Sequence, residues 1–323
     1  MRSAAPAAVA LAVLAAMVAL ALSVGRYPVG LGDLFSSADP NASAVLLQIR
    51  APRVGAALLV GAALAAAGAV YQAILRNPLV SPDILGVSSG AALGAVLAML
   101  AGLGAALVQA SAFAGGVLAV ALVYGIATGL RRHDPLLALV LTGVVLGTLL
   151  ASLVSLLKLL ADPAGQLPAI TFWLLGSLTL ATPGDLGLAA VLLAAGLAPL
   201  VALRWRLDLL TLPDEEARAL GVEPARLRML VIGAATLITA VSVALGGIIG
   251  WIGLLVPHAA RLMVGPAFAR LLPLSMLLGA AFLLAVDTLC RAVTQTELPP
   301  GVVTAILGTP LFLWLFASAR RSW

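Results

Sequence analysis

Met229-Leu-Val-Ile-Gly233-Ala-Ala-Thr236-Leu-Ile-Thr239-Ala-Val-Ser242-Val-Ala-Leu-Gly246-Gly247-Ile-Ile-Gly250-Trp251-Ile-Gly253-Leu-Leu-Val-Pro257-His258-Ala-Ala260 contains no Asp, Glu, Lys or Arg, and the uncharged stretch from 84 to 130 is longer still. A helix needs about 20 apolar residues to cross the hydrocarbon of a bilayer, so each stretch holds two helices. The first should break at the glycine cluster 246–253, giving a full span and a shorter helix that ends near Arg261. The second should break between Gly102 and Ser111. Outward from these lie further uncharged runs at 3–25, 54–75, 135–157, 186–203, 271–286 and 298–319. The pattern predicts an all-α polytopic membrane protein with ten transmembrane helices. The runs are continuously apolar and do not alternate, which excludes a strand barrel.

Composition agrees: 63% of the 323 residues are hydrophobic and 10% charged, and the mean hydropathy is +1.16. A soluble enzyme, a disordered chain and a nucleic-acid binder are excluded. An even number of spans puts both termini on one side. Alternating the loops places Arg2, Arg76, Arg131, Arg132, Arg204, Arg206, Arg218, Arg226, Arg228, Arg261, Arg270, Arg320 and Arg321 in the cytoplasm. Arg26, Arg50, Arg53, Lys158 and Arg291 then lie outside, a bias that fits the positive-inside rule. The opening segment has the look of a signal peptide, but its apolar run is too long for one, and it reads as a retained first span. No connection is long enough to fold alone, so residues 1–323 form a single transmembrane domain. Gly55, Gly61, Ala65 and Gly68 would let helices approach closely in lipid.

Missing residues restrict the chemistry. The one lysine, Lys158 in Leu-Leu-Lys158-Leu-Leu, excludes a Walker-type phosphate loop. Coupled secondary carriers place ionisable groups within their spans, whereas here only Asp287 intrudes near a span end, so energy would enter from a partner. The lone Cys290 allows no intramolecular disulfide, and His133 and His258 are too few for a zinc site. His258 is either a ligand for haem or a metal, or a helix-start histidine with a local hydrogen bond. Asn77-Pro78 and Pro82-Asp83 punctuate a reversal. Asp287 and Arg291, spaced i, i+4, pair with each other.

The connection Thr211-Leu-Pro213-Asp214-Glu215-Glu216-Ala217-Arg218-Ala219-Leu220-Gly221-Val222-Glu223-Pro224 reads as two short helices at an angle. Thr211 would cap the first, the acidic run suits its first turn, Gly221 stops it at positive φ, and a second helix starts near Pro224. Such an elbow, about 207–228, either packs on its own protein or transmits force from a soluble motor.

The sequence resembles the FecCD-like permease subunits of ATP-binding-cassette importers for iron-siderophore, haem and cobalamin. The resemblance rests on Arg50-Ala-Pro52-Arg53, Gly68-Ala-Val-Tyr71-Gln72, Arg76-Asn77-Pro78-Leu-Val-Ser-Pro82-Asp83-Ile-Leu-Gly86, Phe172-Trp173-Leu-Leu-Gly176-Ser177, the elbow, Gly250-Trp251-Ile-Gly253-Leu-Leu-Val-Pro257-His258, Asp287-Thr-Leu-Cys290-Arg291 and Glu297-Leu-Pro299-Pro300-Gly301. It implies a homodimer in the bacterial inner membrane, two cytoplasmic ATPase subunits that bind ATP and Mg, and an extracytoplasmic substrate-binding protein. No cofactor is held by this chain. The resemblance further implies that Asp214 to Val222 form the ATPase-coupling element and that Arg50, Arg53 and Arg291 receive carboxylates of the docked binding protein. Snorkelling to lipid headgroups, or pairing with Asp33, Asp39 or Glu297, is the alternative for these arginines. Ferric siderophore is the expected cargo, then cobalamin or haem, with molybdate more distant.

Overall fold

The structure, a computed structural model, describes residues 5–25, 40–129, 135–179, 181–293 and 296–318. Arg2, Arg26, Asp33, Asp39, Arg131, Arg132, His133, Arg320 and Arg321, which enter the expectations above, lie outside the described residues. Every regular element described is helical: α1 (Ala5–Ser23), α2 (Pro40–Ala44), α3 (Ala51–Ile74), α4 (Val87–Leu100), α5 (Ala105–Gly129), α6 (Pro135–Leu160), α7 (Gln166–Leu174), α8 (Pro183–Ala202), α9 (Arg204–Leu207), α10 (Asp214–Ala219), α11 (Pro224–Gly246), α12 (Ile252–Val264), α13 (Phe268–Ala292) and α14 (Pro300–Ser318). Among the described residues seven helices are long and apolar enough to cross a bilayer, and α4, α12 and α14 are shorter apolar helices. The two long uncharged stretches divide as expected, at 101–104 and at 247–251.

One boundary differs. The helix expected to begin near residue 54 is instead one rod from Pro40 to Ile74, in which a wide π turn over Val45–Arg50 joins α2 to α3. Pro52 lacks an N–H, and its ring would press on the carbonyl four residues back. The wider turn accommodates it just ahead of the ring. Arg50 and Arg53 therefore sit within a helix and not at the positive end of its dipole.

Burial separates the helices into a centre and a shell. Of the α3 and α11 spans 78% is buried, against 11% for α1, 17% for α6 and 22% for α8. Small residues make the centre possible. A Cβ added at Gly61 would lie 2.3 Å from the Gly279 carbonyl oxygen, and one at Gly68 1.8 Å from that of Gly253. The second approach has a sequence cause. Pro257 cannot donate to the carbonyl four residues before it, which is that of Gly253. Across the gap the Gln72 amide donates to the carbonyls of Leu254 (3.2 Å) and Gly253 (3.5 Å), while its own oxygen accepts from Arg261 Nη2 at 3.3 Å. α3 and α12 thus cross on two turns of each helix.

The unwound stretch 247–251 is held by distant motifs. Ser177 N donates to the Gly246 carbonyl at 2.8 Å, and Gly301 N to that of Leu175 at 3.1 Å. Trp251 occupies the left-handed region at φ +71°, and Gly308 leaves room for its ring, which meets Phe312 edge-on at 6.2 Å. Three stretches that the sequence sets 50 or more positions apart converge here.

Candidate functional site

The elbow is built from Asp208 and Asp214. α9 runs into a 3-10 turn, Asp208–Thr211, and the Asp208 carboxylate accepts from the backbone N–H of Phe268 at 2.7 Å, capping α13. Thr211 does not cap α10. Its hydroxyl donates back to the Asp208 carbonyl at 2.6 Å, and Pro213 stands at the cap position without a side-chain bond. Asp214 has a different task. Its carboxylate takes both Nη atoms of Arg228, one at 2.9 Å, and lies 3.5 Å from Arg76 Nη2. Arg76 also donates to the Leu210 carbonyl at 3.2 Å and to that of Leu212. The elbow is thereby tied to the ends of α3, α11 and α13. Gly221 stops α10 at φ +80°, and α11 begins at Pro224, both as expected.

Outward the elbow presents Glu215, Glu216, Arg218, Ala219, Leu220 and Gly221, all exposed, with Leu220 at 61%. Ala217, Leu207 and Leu210 are buried beneath. The result is a stiff, largely polar projection with one apolar knob and an acidic first turn that suits the helix dipole.

Hydrogen bonds from Arg228 hold the Asp214 carboxyl below the usual carboxylate range, against the opposing effect of partial burial. The sign follows. The latch contributes above the unfolded value near 3.9 and is lost as pH falls through the lower folded value. Asp214 is half-exposed, so screening limits its worth to roughly 0–1 kcal/mol. Asp214→Asn is expected to speed limited proteolysis within 207–228 severalfold at pH 7, while the wild-type elbow stays protected until below about pH 4. Equal cleavage of variant and wild type at pH 7 would remove the latch.

At the opposite end of the helices lie Arg50, Arg53 and Arg291. They are not free at the surface. Arg53 Nε donates to both Asp287 oxygens, at 2.9 and 3.2 Å, and its Nη1 reaches Glu297 at 2.8 Å. Arg291 joins Asp287 at 3.2 Å, as the i, i+4 spacing predicts, but this pair is buried. Arg291 also donates to the carbonyls of Ala21 and Val24, both at 3.2 Å, and Arg50 to those of Leu22 (2.6 Å) and Ser23 (3.1 Å). These are the last carbonyls of α1, which lack helical partners and carry the negative end of the dipole. Cations are favoured there. Asp287 is fully buried, whereas Glu297, which also accepts from Thr179 Oγ1 at 2.8 Å, is 36% exposed.

His258 is not at a helix start. It sits inside α12, 2% exposed, with neither ring nitrogen bonded among the described residues and its ring 6.1 Å from that of Phe312. Among the described residues no group of three His, Cys, Asp or Glu could hold a metal. Sequence reasoning missed Arg76, Arg228 and Asp208. Each acts across the fold, from partners 14 to 136 residues away, and neither periodicity nor a local motif marks such pairs.

Known proteins resemble the chain over most of its length. The chain is 43% identical over 282 residues to a Helicobacter pylori protein that bears the name probable iron chelatin transport system permease protein, covering 86% of this chain and 84% of that one. It is 40% identical over 311 residues to the molybdate import system permease protein MolB of Haemophilus influenzae, covering 94% and 92%. A solved structure in an inward-facing conformation, that of a protein described as a putative metal-chelate type ABC transporter, superimposes with a TM-score of 0.90 at 39% identity, covering 97% of this chain and 98% of that one. The FecCD transport family profile matches residues 13–318, and the chain belongs to that family.

Proposed function

We propose that this chain is the permease subunit of a binding-protein-dependent ABC importer of metal chelates in a bacterial inner membrane. In this reading ten spans place both termini and the elbow in the cytoplasm, two copies enclose the path, and separate ATPase subunits supply ATP hydrolysis. The observation that carries it is the elbow, a rigid projection latched to three helix ends through Asp214, Arg76, Arg228 and Asp208. A push on Glu215, Glu216 or Leu220 would reach α3, α11 and α13 together. Asp214 to Val222 are thus the ATPase-coupling element. Binding-protein docking at Arg50, Arg53 and Arg291 would require these groups to exchange internal acceptors for the partner's carboxylates.

The test is reconstitution in vesicles with the cognate ATPase and binding protein. Uptake should require all three, and the chain alone should turn over no ATP. Glu215→Lys with Glu216→Lys, or Gly221→Val at its left-handed position, is expected to lower uptake at least about ten-fold with folding retained, since a non-glycine residue there costs about 1–3 kcal/mol. Full uptake in both variants would reject the coupling role. For cargo, ferric siderophore is proposed first. Cobalamin or haem stands second, supported by 42% identity to the cobalamin import system permease protein BtuC of Halobacterium salinarum, and molybdate third through MolB; competition of labelled ferric siderophore by cobalamin, haem and molybdate separates them.

A further inference from the structure

A crevice between α5 and α11 changes character along its length. Near the elbow it holds about 360 Å³ and is walled by Arg218, Arg228 and the Asp214 carboxylate, with Tyr124 and Ile232 deeper in. Tyr124 and Ile232 also wall the adjoining cavity of about 460 Å³, which continues between the two helices to Phe113 and Leu237 and is almost wholly apolar. Two glycines keep it open. A Cβ at Gly125 or at Gly233 would meet nothing within 4 Å, unlike most glycines of the helical centre. From Thr128 to Phe113 along α5 the trough runs about 22 Å at 1.5 Å per residue, somewhat more than one leaflet of a hydrocarbon core about 30 Å thick.

The charged mouth has spare donors. Arg218 is exposed, and its charge reaches Asp214 only through space. Arg228 gives both Nη atoms to Asp214, but its Nε is buried and without a partner among the described residues. With Arg228 and Asp214 offsetting each other, Arg218 leaves the mouth a surplus positive charge over an apolar trough, which complements one chemistry in a membrane. We propose that this crevice binds an anionic phospholipid, with its phosphate at Arg218 and Arg228 and an acyl chain along Tyr124 and Ile232 towards Phe113. Basic pockets between spans at the inner membrane surface suit such headgroups. That the lipid comes from the cytoplasmic leaflet rests on the orientation proposed above; that the crevice binds it does not.

The full chain in detergent would be titrated with phosphatidylglycerol, with phosphatidylcholine of identical acyl chains, and with inorganic phosphate, and bound adducts counted by native mass spectrometry. Phosphatidylglycerol should bind at least about five-fold tighter than phosphatidylcholine, since an arginine near the surface contributes about one such factor. Arg218→Ala should erase most of that preference while leaving phosphatidylcholine binding unchanged. Gly125→Leu with Gly233→Leu should weaken both lipids. Phosphate alone should not compete. Equal affinity of the wild type for the two lipids would overturn the proposal, as would an unchanged preference in Arg218→Ala, competition by phosphate, or full lipid binding with the trough filled. Because no ATPase, binding protein or cargo takes part, these outcomes are independent of the transport reading.

Discussion

Asp287→Asn is expected to lower the stability of the folded chain by about 3–5 kcal/mol, because it removes the central acceptor of a buried charge cluster and leaves its cations uncompensated. The carboxylate is fully buried between Arg53 and Arg291, and the substitution preserves its shape while taking away the charge. Glu297→Gln is the matched control. It also contacts Arg53, at 2.8 Å, but it stands 36% exposed, where a lost ion pair costs roughly 0–1 kcal/mol. Thermal unfolding in detergent, followed by recovery of monodisperse protein, should order the two with a clear gap. Asp287→Asn combined with Arg53→Gln should recover part of the loss, since two mismatched charges are replaced by neutral groups. If Glu297→Gln proves as damaging as Asp287→Asn, the cluster is not organised by burial.

A single methyl group should have an effect of similar size at Gly68. Alanine is favoured over glycine inside a helix by about 1 kcal/mol, so propensity alone predicts a gain for Gly68→Ala. The structure reverses the sign. The new Cβ would lie 1.8 Å from the Gly253 carbonyl oxygen, and that oxygen belongs to the backbone and cannot rotate away. Separating α3 from α12 strains the core by about 1–3 kcal/mol or more and breaks the Gln72 bonds to the same turn. Gly187→Ala on α8, where an added Cβ meets nothing within 4 Å, should be neutral or stabilising by up to about 1 kcal/mol. Opposite signs for the two variants in one unfolding assay are the expected result. A stable Gly68→Ala chain would mean that the crossing is looser than described.

These residues show what can be read from a sequence of this kind. That the elements are helices follows from solvent physics, since an uncharged run has one solution in lipid. The break at 246–253, the stop at Gly221 and the restart at Pro224 are local backbone chemistry and were legible for that reason. Gly61 and Gly68 announced close packing, but not against which helix. The rod through Pro52 was missed because the uncharged run begins only at 54, after Arg50, Pro52 and Arg53, and a wide turn ahead of the proline lets the helix pass. At the candidate sites the elbow's shape was legible and its fastening was not. Thr211 obeyed a capping pattern, yet Asp214 was drawn to Arg228 and Arg76, partners that only the folded chain brings near. Arg50, Arg53 and Arg291 were expected to receive a partner's carboxylates or to pair with Asp33, Asp39 or Glu297, and of these pairs Arg53 with Glu297 is present. In the fold they turn inward to Asp287 and to the end of α1.

That inward turn bears on how the chain is made. Only 11% of the first helix's span is buried, and its far end is gripped by Arg50 and by Arg291, the latter 270 residues downstream of its acceptor on Ala21. At translation rates of about 5–20 residues per second, the second grip arrives on the order of tens of seconds after the helix has left the ribosome. Until then α1 is fastened at that end by Arg50 without Arg291. A chain ending before Arg291 would hold that helix end through Arg50 and not through the Arg291 contacts to Ala21 and Val24.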